Sequence, residues 1–133
     1  MDEVKVYVEA EINPTESEEK VKRALENMFG SISTEIRPLA KGSLLKAEAK
    51  GLEALIKLHN LLIRERIRDA ARGALFEGLN GDTITFFLNK QVAFAGHVSF
   101  SKAVSESPLG PIKVQIKCDD PRRLIDWLAP KTG

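Results

Sequence analysis

Cys118 is the only cysteine in 133 residues, which excludes an intramolecular disulfide and a cysteine-based zinc cluster. It also fits a reducing compartment, with the cytosol as the default. Histidine is nearly as scarce. His59 and His97 fall in different predicted elements, and neither has a neighbouring group that would supply an activating partner or a metal-ligand spacing. No stretch approaches about 18 consecutive apolar residues, and the N-terminal MDEVKVYVEAEI interleaves acidic residues where a signal sequence has a basic start and an apolar run. The chain is therefore read as neither membrane-spanning nor secreted. Aromatics make up 6% of the chain, and Tyr7, Trp127 and the phenylalanines mostly occupy apolar repeats that a core would claim. Few platforms remain for stacking unpaired bases. An excess of one charge is missing too: 20 Lys plus Arg face 19 Asp plus Glu. Without a strongly basic surface, affinity for RNA has to come from local patches.

What is present reads as one α+β domain over residues 1–133, since the length suits a single core and no tract is of low complexity. Val4, Val6, Val8, Ala10 and Ile12 alternate with Lys5, Tyr7, Glu9 and Glu11, the period of a strand with one buried face. NPTE then predicts a helix start, with Asn13 as cap, Pro14 at the first helical position and Glu16 closing a capping box. Val21, Ala24, Leu25, Met28 and Phe29 form its apolar stripe, and Gly30 stops it. SISTEIRPL and SLLKAEAK, joined through AKG, read as two further strands with polar outer sides. GLEALIKLHNLLIRERIRDAARGALFEGL has helical spacing, with a bend or break expected at Gly73. TITFFL, VAFAGHVSF and PIKVQIK read as strands, and DDPRRLIDWL as a short capped helix. Short connections favour a twisted, mainly antiparallel sheet with helices chiefly on one face.

Enzymatic signatures fail. GALFEG lacks the Lys and Ser or Thr of a phosphate-cradling loop, and the pairs Glu18/Glu19 and Asp119/Asp120 sit where helix starts call for negative charge and capping oxygens. The reading is a non-enzyme with no catalytic residues, no metal site and no cofactor. RNA-recognition signatures match only in part. RGALFEGL lacks the aromatic positions of a base-stacking strand, and GLNG, Gly78 to Gly81, reads as a turn before a strand.

The basic residues are more informative. Lys57, Arg64 and Arg68 project within about 40° of one another on a helix, a stripe that reaches phosphates or remains a solvated face supported by the Glu53–Lys57 pair. His59 falls amid Leu52, Leu55, Ile56, Leu62 and Ile63 and reads as a packed, hydrogen-bonded histidine in the core or a subunit contact. In FFLNKQVAFAGHVSF, Asn89, Lys90 and Gln91 interrupt two apolar stretches, and a bulge or tight connection there would expose their polar ends. Lys90, His97, Lys102, Arg122 and Arg123 converge if that connection lies near the start of the last helix, whose N–H groups also favour an anion.

LNKQVAFAGHVSF, SPLGPIKVQI and DPRRLIDWLAP together resemble a small archaeal family of uncharacterised proteins described as predicted RNA-binding or exosome-associated, over nearly the full chain. The resemblance implies a fold similar to the large-subunit ribosomal protein that binds 5S ribosomal RNA, and structured RNA and RNA-processing or ribosome-associated proteins as partners. It carries over Asn89, Lys90, Gln91, Arg122 and Arg123 as candidate contacts and no catalytic set. Pro108 and Pro111 around Gly110 read as a rigid turn. The expectation is modest, phosphate- and shape-directed binding to structured RNA. The alternative is a dimeric interaction or scaffold module of the same fold with little RNA affinity. A homodimer is expected because an open sheet leaves edge strands and the long helix has more apolar surface than one small sheet covers.

Overall fold

The alternation of the first strand carries through to burial in the computed structural model, which describes residues 3–102 and 110–132. β1 (Lys5–Ile12) buries Val6, Val8, Ala10 and Ile12 on one side and turns Tyr7, Glu9 and Glu11 to the other. α1 (Glu18–Phe29) buries all five residues of its predicted stripe, and its N-cap is Ser17, whose side chain accepts from the Lys20 N–H. The expected cap at Asn13 is corrected here. Asn13 and Glu16 instead close a turn of their own, with the Glu16 N–H on the Asn13 carbonyl at 2.8 Å and the Asn13 N–H on Glu16 Oε1 at 3.0 Å. Helix α1 starts after that turn.

β2 (Thr34–Pro38) and β3 (Ser43–Lys50) form a hairpin, and a short 3-10 turn at Leu52–Leu55 leads into α2 (Ile56–Arg64) and α3 (Arg68–Glu77). The long helical segment breaks at Glu65–Ile67 and not at Gly73, which sits exposed inside α3. Arg66 carries the reversal at φ 57°, and the Ile67 N–H closes it on the Leu62 carbonyl at 3.2 Å. The reversal lets Leu58, Leu61 and Leu62 on one helix and Ala71 and Leu75 on the other face the same core. Apolar burial outweighs a left-handed residue, which costs roughly 1–2 kcal/mol.

β4 (Leu79–Asn80), β5 (Thr83–Asn89), α4 (Lys90–Phe94), β6 (Phe100–Ser101), β7 (Pro111–Lys117) and α5 (Pro121–Leu128) complete the chain. VAFAGHVSF is thus not one strand: its first part belongs to α4, and strand resumes only at Phe100. The cause is local, because Asn89 Oδ1 accepts the Val92 N–H at 2.9 Å and caps the turn. α5 opens as its sequence predicts, with Asp120 as cap and Pro121 in the first turn. Gly110 takes φ 85° before Pro111 begins β7, while Pro108 lies outside the described residues.

Among the described residues the strands form a seven-stranded sheet in the order β2-β3-β1-β7-β5-β4, with β6 also on β5, and every pairing is antiparallel. Leu45 and Ala47, Ile84, Phe86 and Leu88, and Ile112, Val114 and Ile116 join the buried side of β1 in one core with the helices. The fold is α+β with helices on one face. No helix among the described residues is long and apolar enough to cross a membrane.

Candidate nucleic-acid interface

The face of the sheet turned away from the helices is ordered in rows by strand register. Glu35, Lys46, Glu9 and Lys113 lie side by side across β2, β3, β1 and β7, so charges alternate along that row. At the end of the sheet Lys50, Lys5 and Lys117 lie side by side across β3, β1 and β7, continued by Thr83 on β5. All three lysines are exposed, and none has an ion-pair partner among the described residues. Like charges directly opposite one another weaken a sheet, whereas alternating charges support it. With strands about 4.8 Å apart, the three ammonium stems span about 10 Å, with Glu48, Tyr7 and Gln115 in the next row. Two nearby carboxylates have other partners. Asp82 Oδ1 accepts from Thr83 Oγ1 at 3.0 Å and Asp120 Oδ1 from the Arg123 N–H at 3.2 Å.

Sequence reasoning misses this row. Each lysine is legible as an outward position at the end of a strand, but only the pairing register lines them up.

The candidate residues named from the sequence do not gather as expected. Asn89 and Pro111 are partners at one end of the β5–β7 ladder, and Thr83 and Lys117 at the other, from which α5 departs. Lys90 is therefore separated from Arg122 and Arg123 by a seven-residue strand, about 20 Å of sheet. Lys90 is also inward-facing, 2% exposed, with Nζ donating to the Glu11 carbonyl at 2.7 Å and Glu16 Oε1 at 2.8 Å. The expectation that its polar end is displayed is corrected: the cap at Asn89 turns it under α1. Gln91 is exposed beside it.

His97 is 66% exposed and sits on Glu65 Oε2 at 2.9 Å. Lys102 is exposed just past β6. Arg122 lies over the Phe76 ring at 5.7 Å, which Arg72 also approaches at 5.0 Å, and Arg123 is exposed one residue on.

Lys57 and Arg64 do share a side of α2, lining a groove of about 380 Å³ with Asn27, Asn60 and Gly96, and Lys57 Nζ donates to the Glu26 carbonyl at 3.1 Å. The break at Arg66 puts Arg68 on a different helix, so the three-residue stripe is not continuous. Lys57 and Lys50 also border a cleft of about 700 Å³ between the end of α1, the end of β3 and the start of α2, which Glu48 and Glu53 line as well. His59 stacks on Trp127 with ring centroids 4.7 Å apart, and its Nδ1 lies 3.2 Å from Asn60 Oδ1. It is a packed histidine between α2 and α5.

Electrostatics separate structural ionic contacts from available ones. Burial pushes the Glu16 carboxyl up, but hydrogen bonds from Lys90 and Asn13 outweigh it and hold the group below its usual range. Glu65 behaves alike: burial raises it, and the Val98 N–H and His97 more than compensate. Burial raises the Cys118 thiol, which suits a packed side chain better than a nucleophile. No cluster of three or more His, Cys, Asp or Glu among the described residues could hold a metal ion.

A family model described as RNA binding matches residues 5–118. A UPF0201 protein of Sulfurisphaera tokodaii is 47% identical over 129 residues, covering 97% of this chain and 89% of that protein. The chain belongs to the UPF0201 family. Another UPF0201 protein, from Sulfolobus acidocaldarius, is also 47% identical over the same share of both chains. The crystal structure of the UPF0201 protein from Methanococcus jannaschii superposes with a TM-score of 0.85 at 32% identity, covering 97% of this chain and 95% of that one. The archaeal family resembled by the three quoted stretches is the one found, and the α+β fold is the family's own.

Proposed function

We propose that this UPF0201 protein is a non-enzymatic, cytoplasmic RNA-associated protein that acts as one domain. It binds structured RNA through phosphates and shape, at the end of the open sheet face. The observation that carries this reading is the unpaired row of Lys50, Lys5 and Lys117, a like-charge arrangement that costs the sheet stability and that a polyanion would relieve. The family's description as RNA binding supports the choice of polyanion. Flexible lysines on an open face suit phosphates, which position a nucleic acid without reading its sequence. Arg122 and Arg123 on α5, and Lys57 and Arg64 on α2, are secondary contacts. A fold similar to the ribosomal protein that binds 5S ribosomal RNA belongs to the same proposal.

The test is the salt dependence of binding to duplex, hairpin and single-stranded RNA. Wild type should bind structured RNA modestly. The triple variant Lys5→Ala, Lys50→Ala, Lys117→Ala should lower the slope of log affinity against log salt by about one unit for each phosphate that the wild-type lysines neutralise. Absence of saturable binding by wild type near about 50 mM salt, where the electrostatic term is large, overturns the assignment and favours the scaffold alternative.

A further inference from the structure

The two edges of the sheet are finished differently. Along the outer side of β5, Asn80 and Leu79 pair with Thr83 and Ile84, the Thr85 N–H donates to the Gly78 carbonyl at 3.0 Å, and Phe100 and Ser101 pair with Leu88 and Phe87. That edge is closed along most of its length. The outer side of β2 has no partner among the described residues. Bare edge strands are templates for pairing, and proteins guard them unless pairing is their use.

The direction of the free groups on β2 follows from the hairpin. The Leu39 N–H donates to the Gly42 carbonyl at 3.1 Å. Antiparallel alternation from that pair aims the backbone groups of Arg37 and Glu35 at β3 and those of Ile36 and Thr34 outward. Ile36, 38% exposed, and Leu39, 43% exposed, are two of the four exposed large hydrophobic residues among the described residues, and both lie on this edge. Glu35 and Arg37 flank Ile36 with opposite charges, 3.3 Å apart and largely exposed.

We propose that β2 pairs with β2 of a second copy, antiparallel about a two-fold axis at Ile36, joining the two sheets into one. In that register Ile36 exchanges both backbone hydrogen bonds with Ile36 of the partner subunit, and the Thr34 N–H reaches the carbonyl of the partner's Pro38. Glu35 then faces the partner's Arg37, and Arg37 faces the partner's Glu35, so the strand is complementary to itself in charge as an isologous contact requires. Pro38 has no N–H to give, and it stands at the end of the match, where it limits pairing to this short segment. A two-fold axis normal to the sheet keeps both open faces on one side, so the dimer presents two lysine rows on a continuous surface.

The test is sedimentation equilibrium over a concentration series without RNA, with folding checked by circular dichroism. Wild type should be a dimer. Arg37→Glu sets Glu against Glu35 twice and Glu35→Arg sets Arg against Arg37 twice, so each should raise the dimer Kd about tenfold or more. The double reversal Glu35→Arg with Arg37→Glu should restore it. A second measurement leaves both charges in place: Ile36→Cys sets two thiols on the axis with Cα atoms about 5.5 Å apart, within disulfide reach. Mild oxidation should link the protomers there and should not do so for Ile56→Cys on α2. A monomer at every concentration, a dimer indifferent to the single reversals, a double reversal no better than either, or an Ile36→Cys link no stronger than the Ile56→Cys control overturns the proposal.

Discussion

Lys90 and the row of Lys50, Lys5 and Lys117 use the same side chain for opposite ends. Lys90 lies beneath the start of α1, with its ammonium on the Glu16 carboxylate and the Glu11 carbonyl. The three row lysines stand in solvent, with one another and Thr83 for lateral neighbours. Burial makes an ionic contact indispensable once formed, because removing one partner leaves a desolvated group without compensation. Exposure makes the repulsion in the row small and screened by salt, leaving the charges available to a ligand. A tally of basic residues near an interrupted strand therefore points to Lys90, while solvent access points to the row.

The contrast can be broken first at its structural pole. Lys90→Ala should cost about 3–5 kcal/mol of folding stability, since it empties a buried site and leaves Glu16, 11% exposed, without its cation. Urea unfolding measures the loss, and any molecules still folded should keep the wild-type salt slope for RNA. A Lys90→Ala protein as stable as wild type would refute the clamp.

The next largest effect comes from the other half of the pair. Glu16→Gln should cost about 1–3 kcal/mol through the missing charged hydrogen bond, and should also change the acid limb of stability. The Glu16 carboxyl is held below its usual 4.5 in the folded protein. Its contribution is therefore fully present above the unfolded value and lost as pH falls through the lower, folded one. Wild type should lose stability below about pH 4.5 more steeply than Glu16→Gln, as thermal unfolding across pH 3–7 would reveal. Equal slopes would show that Glu16 does not drive the acid limb, although Glu65, lowered likewise, should keep some slope in both proteins.

The smallest expected change sharpens the other pole. Lys5 stands between Lys50 and Lys117, so Lys5→Glu turns two like-charge neighbours into two opposite-charge pairs. It should stabilise the fold by about 0.5–1 kcal/mol and weaken RNA binding at low salt. A gain in stability joined to a loss of binding marks a site kept for a ligand. Unchanged affinity would remove the row from the RNA surface.

Much of the fold is legible because it repeats a period. β1, β3, β5 and β7 follow apolar alternation, and α1 and α5 follow helical stripes with a stop or a cap in the expected place. The departures cluster where a local preference competes with a partner distant in sequence. Glu16 has the spacing of a capping box, but it closes a separate turn with Asn13 ahead of the helix and also meets Lys90, 74 residues on. Asn89 to Phe94 has the pattern of a polar interruption and a strand, and forms a capped helical turn. The helix break lies not at Gly73 but at Arg66, beside Glu65, whose carboxylate accepts the Val98 N–H at 3.0 Å and contacts His97.

The sequence by itself determined which residues face in and which face out, because side-chain alternation and helical periodicity depend only on neighbours along the chain. Only the tertiary structure decided which outward residues meet. Lys5, Lys50 and Lys117 become a row through pairings of β1 with β3 and with β7. Lys90 leaves the surface because α1 packs over α4. Register and helix packing are set by the core as a whole, and a one-residue slip in either strand pairing would turn the same lysines to another face.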